Sequence, residues 1–516
     1  MSRKSFGALS LFTVALVVPA ISWAQISFVP GIARKVPTGP NFIAADDFNN
    51  DNIKDAVVSS TVRDTVTVLF GSPDANFAGS VVEIPTGRLL RDITTGDFNG
   101  DRIPDIAVAD NYAGGVFIIN AITGASFSSP QFFAGQARGP YDVVPGHFDV
   151  GTTLDLAVAN RTRDTFTVFT NDGGTRGLRN VGSFPTGNGP RSILSADLNG
   201  DHFDDVILLD TGARGTDEVS IYLNQGNGTF QGIVPQRFVV GVGAVAMTTG
   251  DFNGDGKLDI AVVNGSGAGV NNFTLSILLG DVNPIFSVLP PVIFGCPSQL
   301  NGIQVVCTPQ DIKAADFDGD TRTDLAISFS TRATNTQQST SGFVNAYSGR
   351  GNGSFDFGTQ IIVGLGPRRI VAADVTGDGV PDVVVTAFTD STVQVLRSRT
   401  PDRKDLGGSC VVGRQCISNA CVDGVCCDTA SCPSGQRCDV FPNPGTCKVP
   451  APDGTECTEN EQCATQACTD GYCCTRLSCP AGQYCNTGMC APPASNGTQC
   501  NANEQCSSGF CTDGVC

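Results

Sequence analysis

The nonapeptide Asp97-Phe-Asn-Gly-Asp-Arg-Ile-Pro-Asp105, followed directly by the apolar run Ile106-Ala107-Val108, is the stretch that decides the fold. Versions of it begin at seven places in the chain, at residues 47, 97, 147, 197, 251, 316 and 374. Repeats of about 40–50 residues with strand-forming content are typical of β-propeller blades, which have four strands each. The seven copies therefore predict seven small β-sheets arranged in a ring.

Each nonapeptide leads into a short apolar burst, such as Val206-Ile207-Leu208-Leu209 after the fourth copy. A continuous run of this kind predicts a strand that is buried on both faces, here between neighbouring blades. Alternating stretches such as Thr65-Val-Thr-Val-Leu69 and Thr392-Val-Gln-Val-Leu396 predict half-exposed outer strands.

The two ends of the repeat array indicate how the ring closes. Only two strands fit between the last nonapeptide and Arg397, so the seventh blade lacks its outermost strand. The stretch Ile26 to Pro37 precedes the first blade and is free to supply it. We therefore predict an all-β fold in which residues 25–400 form a seven-bladed β-propeller closed by an N-terminal strand, followed by a small disulfide-rich repeat module.

Positions 1, 3, 5 and 9 of the nonapeptide are nearly always Asp or Asn, and position 4 is Gly in five of the seven copies. Carboxylates at 1, 3 and 5 of a tight loop converge on one centre, position 7 can add a backbone carbonyl, and position 9 completes an all-oxygen cage. Such cages favour Ca²⁺. The competing interpretation is an ordinary surface turn rich in Asp, Asn and Gly, but six near-complete copies favour calcium.

We expect about six structural Ca²⁺ ions. The predicted ligands, in the order of positions 1, 3, 5, 7 and 9, are Asp47, Asn49, Asp51, Ile53 and Asp55; Asp97, Asn99, Asp101, Ile103 and Asp105; Asp197, Asn199, Asp201, Phe203 and Asp205; Asp251, Asn253, Asp255, Lys257 and Asp259; Asp316, Asp318, Asp320, Arg322 and Asp324; Asp374, Thr376, Asp378, Val380 and Asp382.

The copies differ in the number of acidic ligands. The sixth has carboxylates at all four positions and should bind most tightly, whereas the seventh has the uncharged Thr376 at position 3. In the third copy His147 and Gly151 replace positions 1 and 5, which predicts that no ion binds there. The four positions hold 21 of the 50 acidic residues in the chain, so the acidity belongs largely to these loops.

The N-terminal residues have the layout of a secretory signal peptide, which we place at 1–24. Arg3 and Lys4 precede an apolar run, and Ser22-Trp23-Ala24 offers a small-x-small cleavage site. A membrane anchor is the alternative, but the run is short for a span and Pro19 interrupts it. We expect an exported protein without a membrane span in the mature chain. The net charge of −18 argues against a nucleic-acid partner.

After a linker at 401–409, the region 410–516 contains 20 of the 22 cysteines in two full repeats and one partial repeat. Both full repeats follow the spacing C-x5-C-x4-C-x4-CC-x4-C-x5-C. Zinc is the competing interpretation, but the tail has neither a C-x2-C pair nor a His, and disulfides suit an exported chain. The pairing stays open. Cys296 and Cys307, in the long insertion of the fifth repeat, are expected to form a separate disulfide loop.

The nonapeptides, their following strands and the hairpins Gly226-Asn-Gly-Thr-Phe230 and Gly351-Asn-Gly-Ser-Phe355 resemble the FG-GAP/VCBS repeats of integrin α-subunit propellers and many secreted bacterial proteins. The resemblance covers roughly residues 26 to 400. It implies seven blades, with structural Ca²⁺ loops between the first and second strands of each blade on one face and with partners bound elsewhere. The tail resembles small disulfide-rich, dickkopf-like repeats.

These features favour a secreted or cell-surface calcium-binding propeller that mediates adhesion or another interaction with an extracellular protein or glycan, rather than an enzyme. A propeller-type polysaccharide lyase or hydrolase is an alternative, but many of the Asp residues are assigned to metal loops. The two histidines, His147 and His202, both lie in loops, which leaves little for His-based catalysis. A lectin is a further alternative. Fold alone does not decide between them.

Overall fold

The structure is a computed structural model, and it describes residues 26–399 apart from short gaps at 75, 78, 80, 123–124, 136–138, 174–176, 212–216, 266–271, 282–284, 301 and 336–338, together with a few short strands between 421 and 491. The predicted signal peptide at 1–24, the linker at 401–409 and the disulfide pairing of the cysteine repeats lie outside the described residues. Within the described part, no helix has the length and hydrophobicity needed to cross a membrane.

The propeller is built from β-strands, which in chain order are β1 (Ser27–Pro30), β2 (Arg34–Lys35), β3 (Pro40–Asp46), β4 (Asp55–Ser60), β5 (Thr65–Leu69), β6 (Val81–Pro85), β7 (Leu90–Gly96), β8 (Asp105–Asp110), β9 (Gly115–Ile119), β10 (Ala121–Ile122), β11 (Ser126–Phe127), β12 (Gln131–Ala134), β13 (Pro140–Gly146), β14 (Asp155–Asn160), β15 (Thr165–Asn171), β16 (Leu178–Pro185), β17 (Pro190–Ala196), β18 (Asp205–Asp210), β19 (Glu218–Tyr222), β20 (Gln236–Val239), β21 (Ala244–Gly250), β22 (Asp259–Asn264), β23 (Asn272–Gly280), β24 (Phe286–Val288), β25 (Val292–Gly295), β26 (Gln299–Leu300), β27 (Ile303–Ala315), β28 (Asp324–Ala333), β29 (Ser339–Gly349), β30 (Phe355–Leu365), β31 (Pro367–Ala373), β32 (Asp382–Ala387) and β33 (Thr392–Arg399). The tail contributes β34 (Cys421–Val422), β35 (Val425–Cys426), β36 (Cys468–Thr469), β37 (Tyr472–Cys473), β38 (Tyr484–Asn486) and β39 (Met489–Ala491), which pair as three small hairpins.

Seven antiparallel sheets form the predicted blades. In chain order they are β3–β6, β7–β8–β9–β12, β13–β16, β17–β20, β21–β24 with β25 also on β23, β26–β30, and β31–β33 completed by β1 and β2. The first full-length strand of each blade lies against that of a neighbouring blade, and β31 of the seventh blade lies against β3 of the first. The all-β, seven-bladed prediction is therefore confirmed.

The N-terminal strand closes the ring. Strand β1 pairs with β33 in antiparallel register, from Ser27 opposite Arg399 to Pro30 opposite Leu396. Ile26 and Phe28 are buried, and the Phe28 ring packs edge-on against Phe317 of the sixth blade at 5.6 Å. The first and last segments of the propeller thus share one sheet, as the sequence predicted.

The second strand of a blade is its most deeply buried part. All six residues of β4, β8, β14, β18, β22 and β32 are buried. The apolar bursts after the nonapeptides form these strands, and they are buried on both sides because each lies between two neighbouring sheets. This is why their sequence does not alternate between polar and apolar residues.

The sixth blade is taller than the others. Its four main strands, β27 to β30, have 10 to 13 residues each, whereas first strands elsewhere have seven. The extra length of β27 comes before its nonapeptide, so it projects on the face opposite the acidic loops. A disulfide joins Cys307 of β27 to Cys296 of the preceding insertion.

Candidate metal centre

Each nonapeptide occupies the connection between the first and second full-length strands of a blade. The loop starts where the first strand ends, and the Asp at position 9 is the first residue of the second strand, as at Asp55 of β4 and Asp105 of β8. The seven loops consequently lie on one face of the ring, which is the placement that the resemblance to FG-GAP/VCBS repeats implied.

The side chains at positions 1, 3 and 5 fold the loop by accepting backbone hydrogen bonds. In the second copy, Asp97 Oδ1 accepts the amides of Gly100 and Asp101 at 2.6 and 3.1 Å, and Asp97 Oδ2 accepts that of Arg102 at 2.7 Å. Asn99 Oδ1 also accepts the amide of Asp101, and Asp101 Oδ1 accepts the amide of Ile103, both at 2.8 Å. The same pattern recurs in the first, fourth, fifth and sixth copies. The loop therefore presents its oxygens inward through its own hydrogen bonds.

The backbone turns through the left-handed region at two positions of each of these loops and of the seventh. Position 4 has a φ between 62° and 82° in all six, which explains why it is Gly or Asn. Position 6 has a φ between 66° and 82° in the same six copies, although Arg102, His202 and Thr321 occupy it in three of them. For the β-branched Thr321 this conformation is strained.

Position 2 anchors the loop between two blades. Its side chain is buried in the five copies that carry Phe there, and in four of them the ring contacts an aromatic ring of the next blade. Phe48 packs edge-on against Phe127 at 5.8 Å, and Phe148 packs against Phe230 at 6.2 Å. Loop geometry is therefore coupled directly to the packing between blades.

The Asp at position 9 holds the loop to its own sheet by two hydrogen bonds. Asp105 is fully buried, with Oδ2 accepting the amide of Phe98 at 3.0 Å and Oδ1 accepting the amide of Ala121, just after the third strand β9, at 2.9 Å. The third copy lacks acidic residues at positions 1 and 5, yet its Asp155 accepts the two equivalent backbone amides, those of Phe148 and Asn171. The sequence pattern had predicted position 9 only as a metal ligand. These two hydrogen bonds explain why Asp remains at this position even in the third copy, which has the fewest acidic residues at the ligand positions.

Replacing Asp155 with Asn tests the contribution of these hydrogen bonds to stability separately from metal binding. The amide keeps one acceptor oxygen but turns an NH₂ group toward a backbone N–H in a buried site. We expect a loss of about 2–4 kcal/mol in the free energy of unfolding. Denaturant unfolding should show the same loss in CaCl₂ and in EDTA, and a loss confined to CaCl₂ would mean that the third copy binds an ion.

The third copy does not adopt the common loop geometry. Its positions 4 and 6 have no positive φ, unlike those of the other six copies. The amide of His147 donates to Asp204 Oδ2 of the fourth loop, and the amide of Asp204 donates to the carbonyl of His147, both at 2.8 Å. A reciprocal link to the neighbouring blade thus holds the segment that lacks acidic residues at positions 1 and 5.

The sixth copy is the described loop that best fits a divalent cation. One carboxylate oxygen each from Asp316, Asp318 and Asp324 lie within 4.8 Å of one another. Asp318 Oδ2 is buried and has no hydrogen-bond partner, and a buried anionic oxygen without a partner is costly unless a cation binds it. Asp320, the remaining predicted carboxylate ligand, forms an ion pair with Arg322. The donor set fits Ca²⁺, which would be held by these oxygens.

The buried loop carboxylates have raised pKa values. Burial raises the pKa of Asp324 to about 8 and that of Asp318 to about 6, with neighbouring loop carboxylates adding to both shifts. Burial likewise raises the pKa of the position-9 residues Asp55, Asp105 and Asp205 to about 7. In the ion-free loop these position-9 carboxyls, with pKa values of about 7 to about 8, are therefore substantially protonated near neutral pH, whereas Asp318 is mostly ionised there.

This predicts opposite effects of pH on stability with and without calcium. Since the folded-state pKa values lie above the ordinary 3.8, ion-free folded protein binds more protons than the unfolded chain, and its stability falls as pH rises toward 8. In CaCl₂, protons compete with the ion, so stability should rise from pH 5 to 7. Melting temperatures across this range in EDTA and in CaCl₂ test the prediction, and parallel trends would contradict it.

A cluster of charged side chains that the sequence did not predict lies inside the ring. The first strands line an axial cavity of about 260 Å³ that contains Asp92, Asp142, Asp311 and Arg369. Asp92, Asp142 and Asp311 each accept the amide of a residue in the next blade, at 3.2, 3.0 and 3.0 Å, and Arg369 donates to Asp311 at 3.3 Å. Burial and the nearby Asp142 raise the pKa of Asp92. All three Asp residues lie five residues before the first position of their nonapeptide, and this shared spacing was the available signal in the sequence.

Fold and loops together define a seven-bladed β-propeller with an acidic loop on each blade. Residues 47–108, 203–262 and 316–385 match the FG-GAP-like repeat, so the chain contains FG-GAP-like repeats in these three regions. No curated protein matches the chain.

Two solved structures are similar to the chain at low identity. The crystal structure of BBS1N in complex with ARL6DN is 12% identical, covering 72% of this chain and 96% of that one with a TM-score of 0.43. The crystal structure of a protein from Lactobacillus plantarum is 14% identical, with the same coverages and a TM-score of 0.41.

Proposed function

We propose that this chain is an exported, calcium-stabilised β-propeller that binds an extracellular protein or glycan. The observation that carries the calcium assignment is the sixth loop, where Asp316, Asp318 and Asp324 converge and a buried oxygen of Asp318 has no partner. Five further loops share its fold and are rich in oxygen ligands. The signal-peptide layout of residues 1–24 supports export, and the cysteine repeats of 410–516 support an oxidising compartment, where they would form a disulfide-bonded stalk.

Calcium titration of the metal-free full-length chain tests the metal assignment. Isothermal titration calorimetry should give about six ions per chain, and Asp318→Asn should remove or weaken one of them. Asp149→Asn is the matched control, because Asp149 occupies the same position in the third copy, and it should leave the stoichiometry unchanged. A chain that binds no calcium contradicts the proposal.

The lyase or hydrolase alternative would need a pair of carboxylates free to act on a substrate. Asp92 and Asp142 in the axial cavity are the nearest candidates, but each already accepts a backbone amide of the next blade. These bonds favour a role in joining blades, and we therefore prefer a binding function. A glycan and matrix-protein array, probed in CaCl₂ and in EDTA, tests it. Binding to no component in CaCl₂ would argue against it.

A further inference from the structure

The extension of the sixth blade forms one wall of a groove on the face opposite the acidic loops. The groove has a volume of about 470 Å³, which is within the usual range for ligand pockets. Strands β27 and β28 supply this wall, and the start of β31 with Thr389 supplies the other. The cross-strand pairs Val306–Arg332 and Thr308–Ser330 place these four residues on one side of the extension.

The lining of the groove is polar and basic. Arg332 and Arg368 are its charged residues, and no acidic residue lines it among those described. The hydroxyls of Thr308, Ser330 and Thr389 also line it, and no hydrogen bond engages them within the described chain. These groups offer donors to an oxyanion and partners to the hydroxyls of a ligand.

Neither arginine forms an ion pair with an acidic residue in the described part of the chain. Asp390, which follows the groove residue Thr389, accepts the amide of Leu365 at 2.6 Å. Partial desolvation of the guanidinium lowers the pKa of Arg368, and the positive charges of Arg332 and Arg369 act in the same direction, against an opposing contribution from Tyr141. The Arg368 guanidinium lies 5.0 Å from the centre of the Phe388 ring, which orients it. An oxyanion in the groove would relieve the repulsion between these like charges.

We propose that this groove binds the carboxylate or sulfate group of an acidic saccharide, through Arg332 and Arg368. The inference deepens the binding role proposed above and rests on it, while locating the site away from the calcium loops. A saccharide is favoured over an acidic peptide because hydroxyl groups accompany the guanidinium groups, whereas Val306 and Ala333 are the only sizeable apolar contacts in the described lining.

Fluorescence polarisation with labelled trigalacturonate tests the proposal on the full-length chain in CaCl₂. The double variant Arg332→Ala/Arg368→Ala should bind at least about tenfold more weakly. Arg163→Ala, which removes an exposed arginine of another blade on the same face, should bind within about twofold of the unchanged chain. Thr308→Asp, which places a carboxylate in the groove, should reproduce the loss and guards against a folding defect in the double variant.

Three competing probes distinguish the outcomes. A sulfated disaccharide that competes better than trigalacturonate assigns the oxyanion as sulfate, and the reverse assigns carboxylate. Neutral maltotriose should not compete. The groove proposal is overturned if the variants bind normally, if hexaglutamate competes as well as the acidic saccharides, or if neither acidic saccharide binds. Positive array results with another ligand would in that case leave the general binding role intact.

Discussion

Removal of calcium with EDTA should lower the melting temperature of the propeller by about 10 °C. A site held tenfold above its dissociation constant adds about 1.4 kcal/mol to the stability of the folded state, so six sites add about 8 kcal/mol. This is comparable to the whole net stability of a typical domain, and it corresponds to a shift of roughly 10 °C for a propeller of this size.

The structure explains why loss of the ions would destabilise the whole ring and not only the loops. Each loop connects the two innermost strands of a blade, and its position-2 residue packs against the next blade, as Phe317 does against Phe28. A loop whose carboxylates repel one another therefore loosens a contact between blades. Because extracellular modules often bind calcium at about 0.1–1 mM, the comparison should use about 10 mM CaCl₂ against EDTA. Circular dichroism or calorimetry gives the measurement.

The matched control for this experiment is Asp155→Asn. It should lower the melting temperature equally in both conditions, since its copy is predicted to bind no ion. Identical melting curves of the unchanged chain in CaCl₂ and EDTA would refute the structural role of calcium. A shift restored by magnesium as well as by calcium would show that the loops do not select between the two ions.

Deletion of residues 26–35 should abolish cooperative folding of the propeller. Without β1 and β2, strand β33 becomes an open edge with unpaired backbone groups, which promotes aggregation. The deletion also uncovers the hydrophobic cluster that contains Ile26, Phe28 and Val363. Loss of one buried Phe alone costs about 3–5 kcal/mol. Size-exclusion chromatography should show aggregates, and thermal melting should lose its sharp transition.

Two point variants test the closure of the ring without shortening the chain. Phe28→Asp places a charge at a site that is 5% exposed and should reproduce most of the defect. Ile32→Ser changes a residue that is 74% exposed and should melt like the unchanged chain. A deletion variant that stays monomeric and melts cooperatively would mean that the seventh blade does not need its N-terminal strand.

The sequence was sufficient for the blade count and the ring closure because these depend on local patterns, whereas the placement of the loops on one face was implied by the resemblance to FG-GAP/VCBS repeats. Seven nonapeptides, each followed by an apolar run such as Ile106-Ala107-Val108, specify repeated sheets with a buried second strand. A missing last strand and a surplus first segment specify how the ring closes. Each inference needs only the order of residues and the fact that strands must pair and bury their apolar faces.

Only the tertiary structure decided which residues act across blades. The amide-accepting carboxylates Asp92 and Asp142 and the groove containing Arg332 and Arg368 join groups that are distant in sequence, whereas the buried hydrogen bonds of Asp105 hold its loop to its own blade. The sequence pattern at position 9 is equally consistent with a metal ligand and with a hydrogen-bond acceptor. Only the burial of the Asp side chain and its hydrogen-bond partners distinguish the two roles. The physical reason is that closing a ring of sheets sets the distances, burial and charge around a side chain, and no local pattern encodes them.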